Sequence, residues 1–352
     1  MELKELRRKI DGIDSEILKL LNQRLEYAVR SRKVKESVED PEREKEVIGA
    51  VKRQSKGLVS KEFSGKIFQD IISEAKALQE KNPKLVGFQG EHGAYSEVAA
   101  RAYDNKWVPV ACTEFVDIFE GLKNGQLDYG LVPVENSLEG AVTQVNDLLV
   151  ETDLKIVGEI KMPIHHCLLA LPDTDYRDIK VVYAHPQALA QCRGFIQRNK
   201  LEARPYYDTA GAALMLANDR PKAAAAIASR LCAEIYDLDI LKENIEDHET
   251  NSTRFVVLAR ESAVKDGDKC SLIFSTAHKA GALFSILKLF SEAGINLTRI
   301  ESRPIRKDPG KFAFLLDFQG SERDKKVADM LEKVKKETER YKFLGCYKEA
   351  RQ

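Results

Sequence analysis

NSTRFVVLAR, residues 251–260, sets a polar, hydroxyl-bearing turn (Asn251, Ser252, Thr253, Arg254) before a run, 255–259, of β-branched and apolar residues. Such a run reads as a buried strand with polar groups at its mouth. The next stretch, ESAVKDGDK at 261–269, is polar and loop-like, and a different rhythm follows it. The decapeptide therefore marks a seam as well as a site. Thr253 and Arg254 are expected to belong to an active site fed from three other loops.

Upstream of it, apolar strands at 85–88, 108–112 and 129–134 alternate with helical patterns at 96–103 and 115–122. A second set has strands at 167–171, 180–183, 204–207 and 223–228, with helices at 187–197 and 209–217. This βαβ rhythm predicts mostly parallel sheet in two lobes, with a ligand cleft at the carboxyl ends of the strands. The strand at 254–259 is expected to return to the first lobe. Several loops after strands are polar. QGEHGAYSE (89–97) matches no phosphate-binding motif, and its Ser96 is placed to cap a helix. PVENSLEG (133–140) crowds Glu135, Asn136 and Ser137 into one turn, AHPQ (184–187) ends in Gln187, and Asp208-Thr209 repeats the placement. Each could also be an ordinary turn using its side chains for backbone bonds. His165 and His166 lack the spacing of helical metal ligands and read as strand residues, one of them a candidate to line the cleft.

In the first 82 residues Leu6, Ile10, Ile13, Ile17 and Leu20 recur at three- and four-residue steps, an amphipathic helix. At ~30 residues it would be ~45 Å long. Two shorter helices cannot cover such a stripe, so a helical dimer is expected. Continued past Leu21, the stripe gives Arg24, Ser31 and Lys35. Asp40-Pro41 restarts the chain, Glu44 leads the stripe Val47, Ile48, Val51, and a third helix aligns Phe68, Ile72, Ala75 and Gln79. These inward polar groups either snorkel from a bundle edge or hold a dianionic ligand.

Residues 262–352 order their elements βαββαβ, a ferredoxin-like layer that by itself assigns no function. Length alone, 352 residues, predicts two or three domains. The 56 basic and 56 acidic residues cancel, giving no broad electrostatic reason for nucleic acid or an anionic membrane as partner. Six scattered cysteines suggest neither a zinc site nor a disulfide framework, and no segment reads as a signal peptide or membrane span. A small-molecule partner, and reduced thiols in a cytoplasm, fit best.

Three resemblances sharpen this. LRRKIDGIDSEILKLLNQRLEYAVRSRKVKES, DPEREKEVI and KIFQDIISEAKALQ resemble the all-helical class of chorismate mutases. That implies an intertwined dimer binding chorismate between Arg7 of one chain and Arg24, Lys35, Asp40, Arg43, Glu44 and Gln79 of the other. The pericyclic rearrangement to prephenate needs a held conformer and a stabilised ether oxygen, not a nucleophile. Arg7 and Arg24 suit the carboxylates, Lys35 and Gln79 the ether oxygen, and Glu44 the ring hydroxyl. Ala75 departs from the serine that relatives can carry.

FQGEHGAYSEVAA, PVENSLEGAV, GEIKMPIHHCLL, VVYAHPQAL and NSTRFVVLAR resemble prephenate dehydratase, whose two-lobed α/β fold is like that of periplasmic binding proteins. The implied reaction takes prephenate to phenylpyruvate, carbon dioxide and water without metal or cofactor. Thr253 is then the donor to the departing hydroxyl, Asn136 and Gln187 support it, and Arg254 is an anion-site or framework residue. Ser96, Glu135, Ser137 and Thr209 are further substrate contacts. GALF (Gly281, Ala282, Leu283, Phe284) and ESRP (Glu301, Ser302, Arg303, Pro304) resemble the ACT domain of phenylalanine-regulated dehydratases. That implies L-phenylalanine at a dimer interface, and a homodimer or tetramer overall. The expected domains are 1–82, 83–261 and 262–352. Two rival readings are a non-catalytic amino-acid-binding regulator and a dehydratase with a degenerate mutase domain.

Overall fold

The structure, a computed structural model, describes residues 3–262, 266–305, 308 and 310–350, so part of the polar loop at 261–269 lies outside the described residues. Its first layer is helical: α1 (Leu3–Arg32), α2 (Pro41–Gln54) and α3 (Lys61–Glu80). Asp40 caps α2 by accepting from the Arg43 N–H, and Ser60 caps α3 through the Phe63 N–H. Only the end of α1 is covered: Val29, with Leu78 of α3 beside it, joins the core of the next domain. Leu6, Ile10, Ile13, Ile17 and Leu20 remain exposed, so the apolar stripe finds no partner among the described residues. Among the described residues no helix is long and apolar enough to cross a membrane.

The first α/β lobe runs β1 (Leu85–Gln89), α4 (Tyr95–Tyr103), β2 (Val108–Cys112), α5 (Phe115–Lys123), β3 (Tyr129–Asn136), β4 (Gly140–Ala141), α6 (Thr143–Glu151) and β5 (Lys155–Pro163). The second runs β6 (Cys167–Ala170), β7 (Val181–Ala184), α7 (Pro186–Gln191), α8 (Arg193–Arg198), β8 (Glu202–Pro205), α9 (Thr209–Asp219), β9 (Ala224–Ala228), α10 (Arg230–Tyr236) and β10 (Asp239–Lys242). The chain then returns as β11 (Ser252–Ala259) between β3 and β5. Strand orders are β2-β1-β3-β11-β5 and β10-β6-β9-β7-β8. The β1, β2, β3 and β7, β8, β9 pairings are parallel, while β11, β6 and β10 pair antiparallel. Each sheet is therefore mixed, not mostly parallel, because the crossing strands run back through it. The expected helix at 187–197 is two helices, α7 and α8, meeting at Cys192. In the second lobe β9 is AAAIA and α9 is rich in Ala and Gly, so the helix lies close on the strand in one small-residue core.

The last module is β12 (Lys269–Ser275), α11 (Ala282–Glu292), β13 (Leu297–Pro304), β14 (Phe312–Gln319), α12 (Lys325–Glu337) and β15 (Arg340–Tyr347), in the antiparallel order β13-β14-β12-β15. Successive strand residues face opposite sides. Leu272, Phe274, Leu316 and Phe318 pack against Ile286 and Phe290 of α11 and Met330 and Val334 of α12. Ile273, Leu315, Leu344 and Tyr347 instead join Val145, Leu149, Ile156 and Val256 of the first lobe in one core. Each such buried aliphatic side chain contributes about 1.5–3 kcal/mol. The module is thus fused to the lobe, not tethered beside it.

Candidate active sites

β11 begins at Ser252, so Thr253 and Arg254 are strand residues and not part of a turn. Thr253 lies opposite Asn136 of β3, and Arg254 opposite Glu135. Residues opposite one another share a side and neighbours along a strand do not. Thr253 and Asn136 therefore face one way, Arg254 and Glu135 the other. Beyond this point β3 carries one extra residue, with Pro133 opposite Phe255, an irregularity that suits a residue lacking an N–H.

Asn136 Nδ2 lies 3.0 Å from Thr253 Oγ1 and 2.9 Å from Asn251 Oδ1. Its Oδ1 accepts from the Leu138 and Glu139 N–H groups at 3.0 and 3.1 Å, which fixes the amide's orientation. Thr253 Oγ1 is thus an acceptor from Asn136, and its own proton is left for another partner. A hydroxyl already accepting a hydrogen bond is a stronger donor. All three residues are buried, Asn251 most completely. Ser137 is spent on the backbone: its Oγ donates to the Thr250 carbonyl and accepts from the Ser252 N–H, both at 2.9 Å.

Ser96 does not cap α4, since Ala94 holds that position; Ser96 sits in the first turn. Gln187 occupies the first turn of α7 and Thr209 that of α9, whose cap is Asp208. Three helix starts thus follow the parallel strands β1, β7 and β8; at α7 Pro186 has no N–H and the Gln187 N–H donates to His185 Nδ1, and at α9 the Gly211 N–H donates to Asp208. The 89–97 loop is gripped by the second lobe. Ser229 Oγ donates to the Gly93 carbonyl at 2.5 Å, Tyr236 Oη to the His92 carbonyl at 2.6 Å, and Tyr207 Oη to Glu91 at 3.1 Å. Gly93 has φ +91°, and a Cβ there would come within 2.5 Å of Cys232 Sγ, so only glycine fits. Burial, with the Glu91 charge adding to it, raises the pKa of Asp208.

Arg254 makes the contacts expected of a framework residue. Its Nε is 2.6 Å from Glu159, Nη1 2.7 Å from Asp317 of β14, and Nη2 3.1 Å from Tyr347 Oη of β15. Burial would lower its pKa, but Asp317, Tyr347, Glu159 and Glu135 more than offset that and raise it. Lys269 bonds Glu159 at 3.0 Å, and Arg299 approaches Glu135 at 3.4 Å. Three cations, Arg254, Lys269 and Arg299, thus meet three carboxylates, Glu135, Glu159 and Asp317, where the last module joins the first lobe. Glu135, half-buried, also points into this seam and away from Thr253.

In the helical layer Arg24 is half-buried beneath solvent, 6.0 Å from the Phe68 ring centre, and burial lowers its pKa. Gln79 is buried, with Nε2 donating to the Ala28 carbonyl at 2.6 Å and Ser31 Oγ at 3.3 Å. Glu44 pairs with Lys76 at 3.1 Å; Lys76 also holds Glu39 at 2.9 Å, and these bonds raise its pKa. Sequence reading passed over Lys76, although it lies three residues before Gln79. Asp40 is occupied as the α2 cap, Arg43 pairs with Glu46 on the surface, and Lys35 is exposed just past α1. Arg7 is exposed on α1, roughly 25 Å along the helix from Arg24. The chain brings Arg24, Glu44 and Gln79 onto facing helices but cannot bring its own Arg7 to them.

Gly281 caps α11 with φ +82°, and the space where a Cβ would stand is open. Its left-handed backbone, not a close approach, calls for glycine in this chain. Ala282 and Leu283 are half-buried and Phe284 is exposed. The ESRP residues divide between faces: Ser302 lies opposite Phe314 on the helix side, Arg303 opposite Ala313 on the lobe side. By the same alternation Pro304 follows Ser302 and Glu301 follows Arg303. Arg303 Nε binds Asp147 of α6 at 2.7 Å, so Arg303 is not directed to the α11 start.

Comparison with known proteins matches three family models: chorismate mutase type II over residues 6–80, prephenate dehydratase over 86–263 and the ACT domain over 271–336. The bifunctional chorismate mutase/prephenate dehydratase of Aquifex aeolicus is 36% identical, with 99% of this chain and 98% of that protein covered. The structure of prephenate dehydratase in complex with L-Phe from Arthrobacter aurescens superposes with a TM-score of 0.70 at 33% identity, covering 76% of this chain and 90% of that one. A structure of GqqA, described as a novel type of quorum quenching acylase, gives the same TM-score at 34% identity, covering 75% and 97%.

Proposed function

Because this chain belongs to the bifunctional chorismate mutase/prephenate dehydratase family, we propose that its Thr253 drives the second of two successive reactions by donating a hydrogen bond to the departing hydroxyl of prephenate. The observation that carries this is the Asn136 bond to Thr253 Oγ1, which leaves the threonine proton directed elsewhere. Loss of the ring carboxylate as carbon dioxide supplies the electron pair that aromatises the ring, and the C4 hydroxyl departs on the hydrogen bond from Thr253 and takes one proton from solvent to become water. Ser96, Gln187 and Thr209, in the first turns of α4, α7 and α9, contact the two carboxylates. Neither this step nor the pericyclic one before it calls for a metal or cofactor.

Chorismate binds in a mutase site shared by two chains, with Arg24, Lys35, Glu44 and Gln79 from one and Arg7 from the other. The roughly 25 Å between Arg7 and Arg24 on one helix, and the exposed stripe of α1, support a dimer joined through that helix. Asp40 and Arg43 serve as cap and rim of this site. L-Phenylalanine binds the ACT module near the α11 start with Ser302 and inhibits dehydration, in a dimer or tetramer of the cytoplasm. Domain limits at 82/83 and 261/262 fit this division of labour. The test is to supply chorismate to the purified chain: phenylpyruvate forms, and L-phenylalanine suppresses it. Chorismate consumption without phenylpyruvate overturns the dehydratase reading, and no consumption overturns the mutase reading.

A further inference from the structure

Cys270 of β12 and Cys346 of β15 stand directly opposite one another in the antiparallel ladder, although nearly the whole last module separates them in sequence. Both side chains point to the helix side of the sheet, into the core that also holds Leu272, Phe318 and Met330. There the two thiols converge on one acceptor. Cys270 Sγ lies 3.4 Å and Cys346 Sγ 3.7 Å from the Gly320 carbonyl oxygen. The pair is buried, but its cover is thin. Half-buried Gly267 lies over Cys346, where any Cβ would collide with the Cys346 Sγ, and Gly320 leads into half-buried Ser321 and exposed Glu322. The other four cysteines, Cys112, Cys167, Cys192 and Cys232, are buried in the dehydratase lobes, and burial raises the pKa of each. Cys346 differs from them. The hydrogen bond from Cys270 lowers its pKa to about 7 against the effect of burial, and the pKa of Cys270 is raised in turn.

The thiolate is the nucleophile in thiol oxidation, and a neighbouring thiol resolves what it forms. The geometry points to Cys270 and Cys346 as a redox-active dithiol, a modification site that takes a small hydroperoxide as oxidant and closes to a disulfide linking β12 to β15. With hydrogen peroxide, the Cys346 thiolate attacks one peroxide oxygen: an S–O bond forms, the O–O bond breaks, and hydroxide leaves. The Cys270 sulfur then gives up its proton and attacks the sulfenic sulfur; the S–S bond forms, the S–O bond breaks, and water leaves. Each sulfur loses one electron and the peroxide gains two, so two thiols and one peroxide give one disulfide and two waters. Residues opposite one another in an antiparallel pair have Cβ atoms about 4.5–5.5 Å apart, while a disulfide asks for about 3.5–4.5 Å. Closure draws the strands together by about 1 Å. The ladder can yield there, because its register shifts at the next residue, between Ser271 and Leu272. A bond under such strain is readily reduced, which suits a reversible modification in a reducing compartment.

The test treats the purified full chain with hydrogen peroxide, alkylates the remaining thiols under denaturing conditions, and reads the digest by mass spectrometry. A peptide joining Cys270 to Cys346 is expected, with the other four of the six cysteines alkylated, and dithiothreitol should release the link. Cys270→Ser should stop the reaction at the Cys346 sulfenic acid, which dimedone traps. Cys346→Ser should leave Cys270 unoxidised at the same peroxide concentration. If the wild-type chain keeps all six thiols, or if the link joins another pair, the proposal is wrong. Dimedone on Cys270 in the Cys346→Ser chain, with none on Cys346 in the Cys270→Ser chain, overturns the order of attack. Should Cys270→Ser fail to fold, Cys270→Ala gives the same reading, and the wild-type digest decides the pairing without either variant.

Discussion

The dehydratase cleft and the mutase helices use similar polar groups, but Arg7 of the helical layer stands apart from the others within one chain. In the cleft Asn136, Asn251 and Thr253 are buried, and their amides are oriented by backbone groups of the same chain. In the helical layer Arg24, Glu44 and Gln79 sit on three neighbouring helices, against Phe68, Lys76 and the Ala28 carbonyl, while Leu6, Ile10, Ile13 and Ile17 stand in solvent and Arg7 lies far along α1. A site fixed by its own backbone tolerates changes in assembly. A site divided between chains depends on it.

The strongest break between the two is expected from Ile10→Glu combined with Ile17→Glu. Charges on the exposed stripe should separate the chains and lower mutase kcat/KM at least ~100-fold through lost positioning. Dehydratase kcat on added prephenate should stay within about threefold, with size-exclusion chromatography reporting the smaller species. Equal loss of both activities would remove the distinction. Next in size is the seam behind Thr253. Asp317→Asn leaves Arg254 short of a buried carboxylate partner, a change that costs about 3–5 kcal/mol of stability in comparable pairs. Thermal unfolding should show it, and the inhibition of dehydratase by L-phenylalanine should weaken with it. Burial would raise the pKa of Asp317, but Arg254 and Arg299 lower it below the ordinary aspartate value. Its contribution is therefore present above about pH 4 and is lost as pH falls through the lowered pKa.

A smaller effect belongs to the contact between mutase and dehydratase. His92, in the 89–97 loop, lies 2.6 Å from Glu26 of α1 and 3.1 Å from Glu97. Burial would lower its pKa, but the bonds to Glu26 and Glu97 push it up to about 10. A raised pKa means the clamp contributes fully below about pH 6.5 and loses that contribution as pH rises through 10. Hydrogen exchange at the end of α1 should quicken between pH 7 and 10 relative to the chain's intrinsic rates, and His92→Gln should flatten that response. A pH-independent protection in the wild type would remove His92 from this role.

Most elements were legible because periodicity marks them: the three N-terminal helices, the alternating strands and the βαββαβ module. What escaped depended on neighbours distant in sequence. NSTR looked like a turn by composition, yet β3 and β5 supply ladder partners on both sides and start the strand at Ser252. That shift matters, since adjacent strand residues cannot share a face, and it sends Arg254 to the ACT seam while Thr253 stays in the cleft. ESRP is divided for the same reason. The bond from Asn251 Nδ2 to Gln191 Oε1, 3.1 Å, was unreadable, because a glutamine ending α7 carries no signal until the second lobe folds over Asn251. Arg254 also links the two parts directly: the residue adjoining Thr253 itself binds Asp317 and Tyr347 of the ACT sheet.

The central claim, one site shared between chains and one contained within a chain, is tested most directly by mixing inactive variants. Arg7→Ala and Arg24→Ala chains, each defective as mutase, are unfolded together and refolded. Random pairing of a symmetric dimer restores one intact site in each mixed dimer, so mutase activity should recover to about a quarter of wild type. Mixing Thr253→Val with Asn136→Ala should restore no dehydratase activity. Absence of mutase recovery in fully refolded mixed dimers, or recovery of dehydratase activity, would contradict the account.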